Sequence, residues 1–173
     1  MKKIMIIGSG GAGKSTLARK LGNIINIEVI HLDKLFWKSN WVETEYSEWV
    51  EIIKKQVKKK SWIIDGNYAS TMDIRLIDAD TIIFLDFSRY ICLLRAIKRR
   101  FMYKNKSRPD ITEGCVETFD LEFFGWIWNF PKSNRNMILK KLDKYKNEKN
   151  IFILKNQKEL MQFLSGIEKN NLK

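Results

Sequence analysis

Several features are scarce or absent in this sequence, and each absence narrows what the chain can be. There are two cysteines and one histidine in 173 residues. Cys92 and Cys115 have neither metal-binding nor redox spacing, and no zinc-finger arrangement is present. No apolar run approaches the roughly 18 residues that cross a bilayer. After Met1-Lys2-Lys3 the apolar stretch Ile4–Ile7 meets glycine at once, too short for a secretory core. The chain is therefore expected to begin within its first strand and to keep its thiols reduced in a cytoplasm. There is no internal repeat, no low-complexity tract and no evident helix-turn-helix. A guanine-type N-K-x-D signature is missing too, because Asn105-Lys106-Ser107-Arg108 lacks the acid. Acidic residues are outnumbered, 20 against 32 Lys and Arg, for a net charge of +12. That balance fits a polyanionic partner such as nucleic acid, an enzyme holding two phosphorylated ligands, or lysine as a favoured surface residue.

What is present starts at the beginning of the chain. Ile4-Met5-Ile6-Ile7 breaks at Gly8-Ser9-Gly10-Gly11-Ala12-Gly13-Lys14-Ser15-Thr16, which fits the phosphate-binding pattern G-x-x-x-x-G-K-[ST]. Glycines permit backbone angles that turn successive N–H groups towards an anion. A helix resuming at Lys14 adds its positive N-terminal end at the same point. In this pattern Lys14 reaches the β- and γ-phosphates of ATP and the Ser15 hydroxyl holds Mg²⁺.

The length suits one domain, 1–173, with a proper core. Strands are predicted at about Lys2–Ile7, Glu28–Leu32, Ser61–Asp65, Thr81–Leu85 and Ile151–Leu154. Helices are predicted at about Lys14–Ile25, Thr44–Lys59, Ser70–Ile77, from a Ser88 cap to Tyr103, Leu121–Asn129, Asn134–Lys146 and Gln157–Ser165. In the helix after Ser88, the expected buried side is Ile91, Leu94, Ile97 and Phe101. The polar stretch at about 104–120 is a lid candidate. This alternation predicts a three-layer α/β domain with a parallel sheet. Ligands then bind beyond the carboxyl ends of the strands, where Gly8, Asp33, Asp65 and Asp86 are expected to share one crevice.

Phosphoryl transfer needs a grip on the donor, a metal, and positive charge on the migrating group. Asp65 suits the metal, with Ser15. Asp33 stands where an acceptor would lie and could take a hydroxyl proton, although helix capping is an equally simple role. Positive charge is available from Arg99, from Arg108 in the lid and from Arg135 after it. Arg95 and Arg99 are four residues apart and share a helix face. The lone histidine, His31, reads as a packing residue. The aromatics from Leu35 to Trp41 read as core or as a surface that stacks a ring.

Taken together, G-S-G-G-A-G-K-S-T, H-L-D-K-L-F-W, W-I-I-D-G-N-Y, I-F-L-D-F-S-R, R-R with R-P-D, and W-N-F-P resemble the bacterial adenylate-kinase-related proteins called DNA topology modulation proteins. The resemblance covers nearly the whole chain. It implies a P-loop NTPase fold of the nucleoside/nucleotide kinase type, with strand order 2-3-1-4-5. Arg95-x-x-x-Arg99 is similar to the arginine pair before the adenylate kinase lid, and Asp65-Gly66 to the Asp-Gly after strand three. One departure stands out. Adenylate kinases carry an arginine after strand two, and the residue here is Asp33, which looks more like kinases with an alcohol acceptor, such as uridine or shikimate kinases.

The expectation is an ATP- and Mg²⁺-dependent kinase acting on a small-molecule, nucleoside or nucleotide acceptor. Two alternatives stay open: a nucleotide-dependent DNA-associated protein affecting DNA topology, using the lysine-rich helix Thr44–Lys59 and the separate helix near Lys140-Lys141, and a nucleotide switch without transfer.

Overall fold

The computed structural model describes residues 1–103, 110–116 and 119–171. In chain order the elements are β1 (Lys3–Gly8), α1 (Lys14–Ile25), β2 (Val29–His31), α2 (Leu32–Phe36), β3 (Trp37–Lys38), β4 (Val42–Glu43) and α3 (Tyr46–Val57). They continue with β5 (Trp62–Asp65), α4 (Met72–Asp78), β6 (Thr81–Leu85), α5 (Arg89–Met102), α6 (Leu121–Ser133), α7 (Arg135–Lys144), β7 (Asn150–Leu154) and α8 (Gln157–Asn171). The main sheet has the order β2-β5-β1-β6-β7 and every pairing in it is parallel. Counting only its five strands, this is the 2-3-1-4-5 order implied by the resemblance.

The sheet is apolar because it is covered on both faces. Alternate residues of β1 point opposite ways. Met5 and Ile7 join a cluster with Trp49 and Ile53 of α3, Leu76 of α4, and Ile138 and Leu142 of α7. Ile4 and Ile6 join Leu17 and Leu21 of α1, Cys92 and Ala96 of α5, and Leu160 and Leu164 of α8. The helix α6 contributes to both sides, through Phe130 and Ile127 respectively. Trp49 and Trp62 are fully buried, so part of the tryptophan content is core.

Several local expectations are corrected. The outer side of α5 is the one expected to be buried: Leu94 and Phe101 are 68% and 73% exposed, while Cys92 and Ala96 face inward. The cause is the P-loop. A Cβ on Gly11 would fall on the carbonyl oxygen of Cys92, so α5 lies directly against the loop and admits only small residues there. Ser88 stands at the N-cap of α5, but its side chain makes no capping bond. The segment after β2 folds into a short helix and the two-stranded antiparallel hairpin β3–β4, neither of which local periodicity revealed. Pro131 lies inside α6, which runs on to Ser133.

The described part of the lid candidate is docked on this hairpin. Ser39 Oγ donates to Glu113 O at 2.9 Å and Trp41 Nε1 to Val116 O at 2.9 Å. Thr112 Oγ1 lies 3.0 Å from Lys34 O and 2.5 Å from Trp37 O. Ile111 and Cys115 are buried beneath it. Residues 104–109 and 117–118 of that candidate, Arg108 among them, lie outside the described residues.

Candidate active site

A cleft of about 1030 Å³ opens at the carboxyl ends of β1, β2 and β5. One side is the P-loop. Gly13 adopts φ 96°, a left-handed angle, and passes the chain straight into α1 at Lys14. Lys14 Nζ donates to the Ser9 carbonyl at 3.0 Å, which curls the lysine back over its own loop. Burial pushes the Lys14 pKa down, and the carboxylates of Asp33 and Asp65 oppose that shift. Both acids therefore act electrostatically on the P-loop lysine.

Asp65 is the buried hub beneath the loop. Its Oδ2 accepts from Ser15 Oγ at 2.7 Å, and its Oδ1 is 2.5 Å from His31 Nδ1. Strand register explains the second contact, because His31 is paired with Asp65 across β2 and β5. His31 is thus a polar member of the site and not the packing residue expected. A hydroxyl and a carboxylate side by side make an all-oxygen donor pair. Magnesium is commonly held by one or two carboxylates together with nucleotide phosphates, so Ser15 and Asp65 fit it.

Asp33, in α2, lines the same cleft, and Tyr68 OH donates to its Oδ1 at 2.9 Å. Trp37, Trp41, Phe123 and Trp126 also line the cleft. Trp37 meets Trp41 edge-on at 5.4 Å, and Phe123 stacks with Trp126 at 6.1 Å. Of the Leu35–Trp41 aromatics, Phe36 turns away to pack on Trp49 and the two tryptophans border the cavity. The core role is thus present at Phe36, and Trp37 and Trp41 stand where a ring could be stacked.

The arginines separate. Arg99 lines the cleft, with its guanidinium carbon 5.6 Å from the Phe123 ring centre. Arg95 borders it as well, with Nη1 3.4 Å from Ala12 O and Nη2 3.0 Å from Gln157 Oε1. Behind the P-loop, Arg95, Gln157, Thr16, Lys20 and Leu160 border a smaller cavity of about 240 Å³. Arg135 is engaged elsewhere: its Nε and Nη2 grip the Asp86 carboxylate at 2.8 to 3.0 Å. Asp86 is consequently the partner of Arg135, and the expected crevice of three aspartates reduces to Asp33 and Asp65.

Two further residues were missed. Asn67 Oδ1 accepts from the Gly8 backbone N–H at 3.0 Å, joining the loop after β5 to the start of the P-loop. Arg75 is fully buried beneath the same loop. Burial pushes its pKa down to about 9, against the pull of Tyr68 and Asp65. The Asp-Gly-Asn-Tyr run was a visible signal for Asn67, whereas nothing local marks Arg75.

No protein-family model matches the chain, and no curated protein is significantly similar to it in sequence. Solved structures do match. The shikimate kinase from Acinetobacter baumannii in complex with shikimate is 15% identical, covering 99% of this chain and 93% of that one, with a TM-score of 0.62. The gluconokinase from Sinorhizobium meliloti 1021 is 12% identical, covering 98% and 94%, with a TM-score of 0.52. The deoxyadenosine kinase from M. mycoides, with products dCMP and dCDP, is 16% identical, covering 98% and 99%, with a TM-score of 0.51. At such identities the likeness is one of fold. The chain has a kinase-like P-loop fold.

Proposed function

We propose that the chain is an ATP- and Mg²⁺-dependent phosphotransferase that moves the γ-phosphoryl group to a hydroxyl of a small-molecule or nucleoside/nucleotide acceptor, and that it belongs with the DNA topology modulation group its motifs resemble. One observation carries this reading: Asp33, held by Tyr68, faces the same cleft as Lys14 and acts on its charge. A base and a phosphate grip in one cleft suit transfer between two ligands.

The roles follow from position. Gly8 to Thr16 cradle the phosphates, and the smaller cavity beside Arg95 and Gln157 suits the purine. Ser15 and Asp65 hold Mg²⁺, which neutralises phosphate charge when bound. Arg99 adds positive charge from the cleft wall. Arg108 and Arg135 are further candidates for that task, Arg135 only if it leaves Asp86. The tryptophans around Asp33 favour an acceptor with a ring or apolar face over a small ion. We read 1–173 as one cytoplasmic domain, with 104–120 as its lid. Among the described residues, no helix is long and apolar enough to cross a membrane.

The DNA-associated reading is less supported. Lys54, Lys59 and Lys141 of the basic surface are engaged by Glu51, Glu28 and Asp73. A switch without transfer leaves Asp33 without a task. The deciding experiment incubates the protein with γ-labelled ATP, Mg²⁺ and a panel of nucleosides, nucleotides and small alcohols. Label should appear on a hydroxyl acceptor. Slow hydrolysis alone across the panel would count against the kinase.

A further inference from the structure

We infer that Arg75 is a positioning residue that sets the donor and acceptor halves of the cleft through a single loop, Gly66-Asn67-Tyr68. This rests on the kinase reading and adds a residue to it that touches neither ligand.

The geometry is specific. Arg75 Nη1 donates to Gly66 O at 2.8 Å, and Nη2 donates to Asn67 O at 2.5 Å and to Tyr68 O at 2.9 Å. Its Nε donates to Thr71 O at 3.4 Å. Every hydrogen bond it makes among the described residues goes to a backbone carbonyl. Three successive carbonyls can converge on one cation only if the backbone bends unusually. Gly66 has φ 136° and Tyr68 has φ 35°, the latter unfavourable for a residue with a Cβ.

With the carbonyls held by Arg75, the side chains of Asn67 and Tyr68 reach two different partners. Asn67 Oδ1 accepts from Gly8 N, the first residue of the P-loop. Tyr68 OH donates to Asp33, the proposed base. One guanidinium thereby fixes the loop that links both halves. Stability alone does not call for this arrangement. Among the described residues no carboxylate hydrogen-bonds this fully buried cation, and Asp65 acts on it only through its charge. Burying it so is costly, and an apolar residue of similar volume would fill the space without that cost. A planar fork with several fixed donors suits the task, whereas lysine offers one compact charge.

The test measures MgATP affinity by calorimetry and slow MgATP hydrolysis, so no acceptor needs to be known. Variants are Arg75→Lys, Asn67→Ala and the double variant, with thermal unfolding recorded alongside. Asn67→Ala should weaken MgATP by about tenfold, the loss of one hydrogen bond to a constrained loop. Arg75→Lys should do the same with its fold retained, and the double variant should be no weaker than Arg75→Lys alone, since one link acts through the other. Additive losses, or native affinity in folded Arg75→Lys, would overturn the inference. If Arg75→Lys does not fold, Asn67→Ala decides by itself: wild-type affinity there removes the donor arm and the inference with it. A wild-type protein that binds no MgATP defeats the kinase reading itself, an outcome distinct from normal binding with indifferent variants.

Discussion

The Tyr68 hydroxyl donates to the Asp33 carboxylate at 2.9 Å, tying the loop after β5 to the short helix after β2. On the proposed reading, a carboxylate held in the same cleft as the P-loop lysine marks where an acceptor hydroxyl would sit. On that reading the acceptor lies beside Asp33, in the cleft that Trp37 and Trp41 also line.

Asp33→Asn should keep MgATP affinity near wild type and lower transfer by about a hundredfold or more, the usual contribution of a general base. Tyr68→Phe should lower transfer by about tenfold, because only the orientation of the base is loosened. Steady-state kinetics with the acceptor found by labelling, together with calorimetry for MgATP, separates the two effects. Unchanged transfer by Asp33→Asn would remove the base assignment.

Asp65→Asn should make nucleotide binding insensitive to magnesium. Ser15 and His31 would both lose their carboxylate partner, and a carboxylate ligand to the ion would go. The ratio of ATP affinities with Mg²⁺ and with chelator is the measurement. A fall of about tenfold or more in that ratio is expected. A ratio equal to wild type would exclude Asp65 as a metal-site residue.

Asp86→Asn should act mainly on stability. The Asp86 carboxylate is 9% exposed and its Arg135 partner 36% exposed, so solvent screens part of the interaction. A loss of about 1–2 kcal/mol in denaturant unfolding is expected, with MgATP affinity within about twofold of wild type. A large loss of transfer without loss of stability would instead point to Arg135 acting on phosphate.

Acid unfolding should depend on Asp80. Burial works against its charged form, yet donors from Thr81, Lys3 and Lys2 prevail and hold its pKa below the ordinary carboxylate value. A depressed folded pKa stabilises the protein above the unfolded value of about 3.9. That stability fades as pH falls through the folded pKa. Asp80→Asn should be less stable at neutral pH and show a shallower decline in acid. Parallel stability-against-pH curves for the two proteins would contradict this.

Much was legible in the chain because the signals are local. The P-loop is a contiguous pattern whose glycines and lysine each answer to a backbone or charge requirement. The apolar runs that became β1, β2 and β5 lead into Ser15, Asp33 and Asp65, which line one cleft and could be named from position alone. Where reading failed, the deciding contact was remote in sequence. The helix α5 has a plausible apolar stripe at Ile91, Leu94 and Phe101, but its distance from Gly11 is set by the loop, and only Cys92 and Ala96 are small enough to face it. His31 looked like packing until β2 paired with β5 and brought it beside Asp65.

The sequence by itself determined a nucleotide-binding loop, a parallel α/β sheet and two carboxylates at strand ends, since these depend on spacing and periodicity within short stretches. The tertiary structure alone decided which arginine does what. Arg95 and Arg99 border the cleft, Arg135 is clasped by Asp86, and Arg75 lies buried under the loop that joins both halves. A guanidinium is equally at home against a phosphate, a carboxylate or a backbone carbonyl. Only the long-range packing of the sheet and its helices determines which of these it meets.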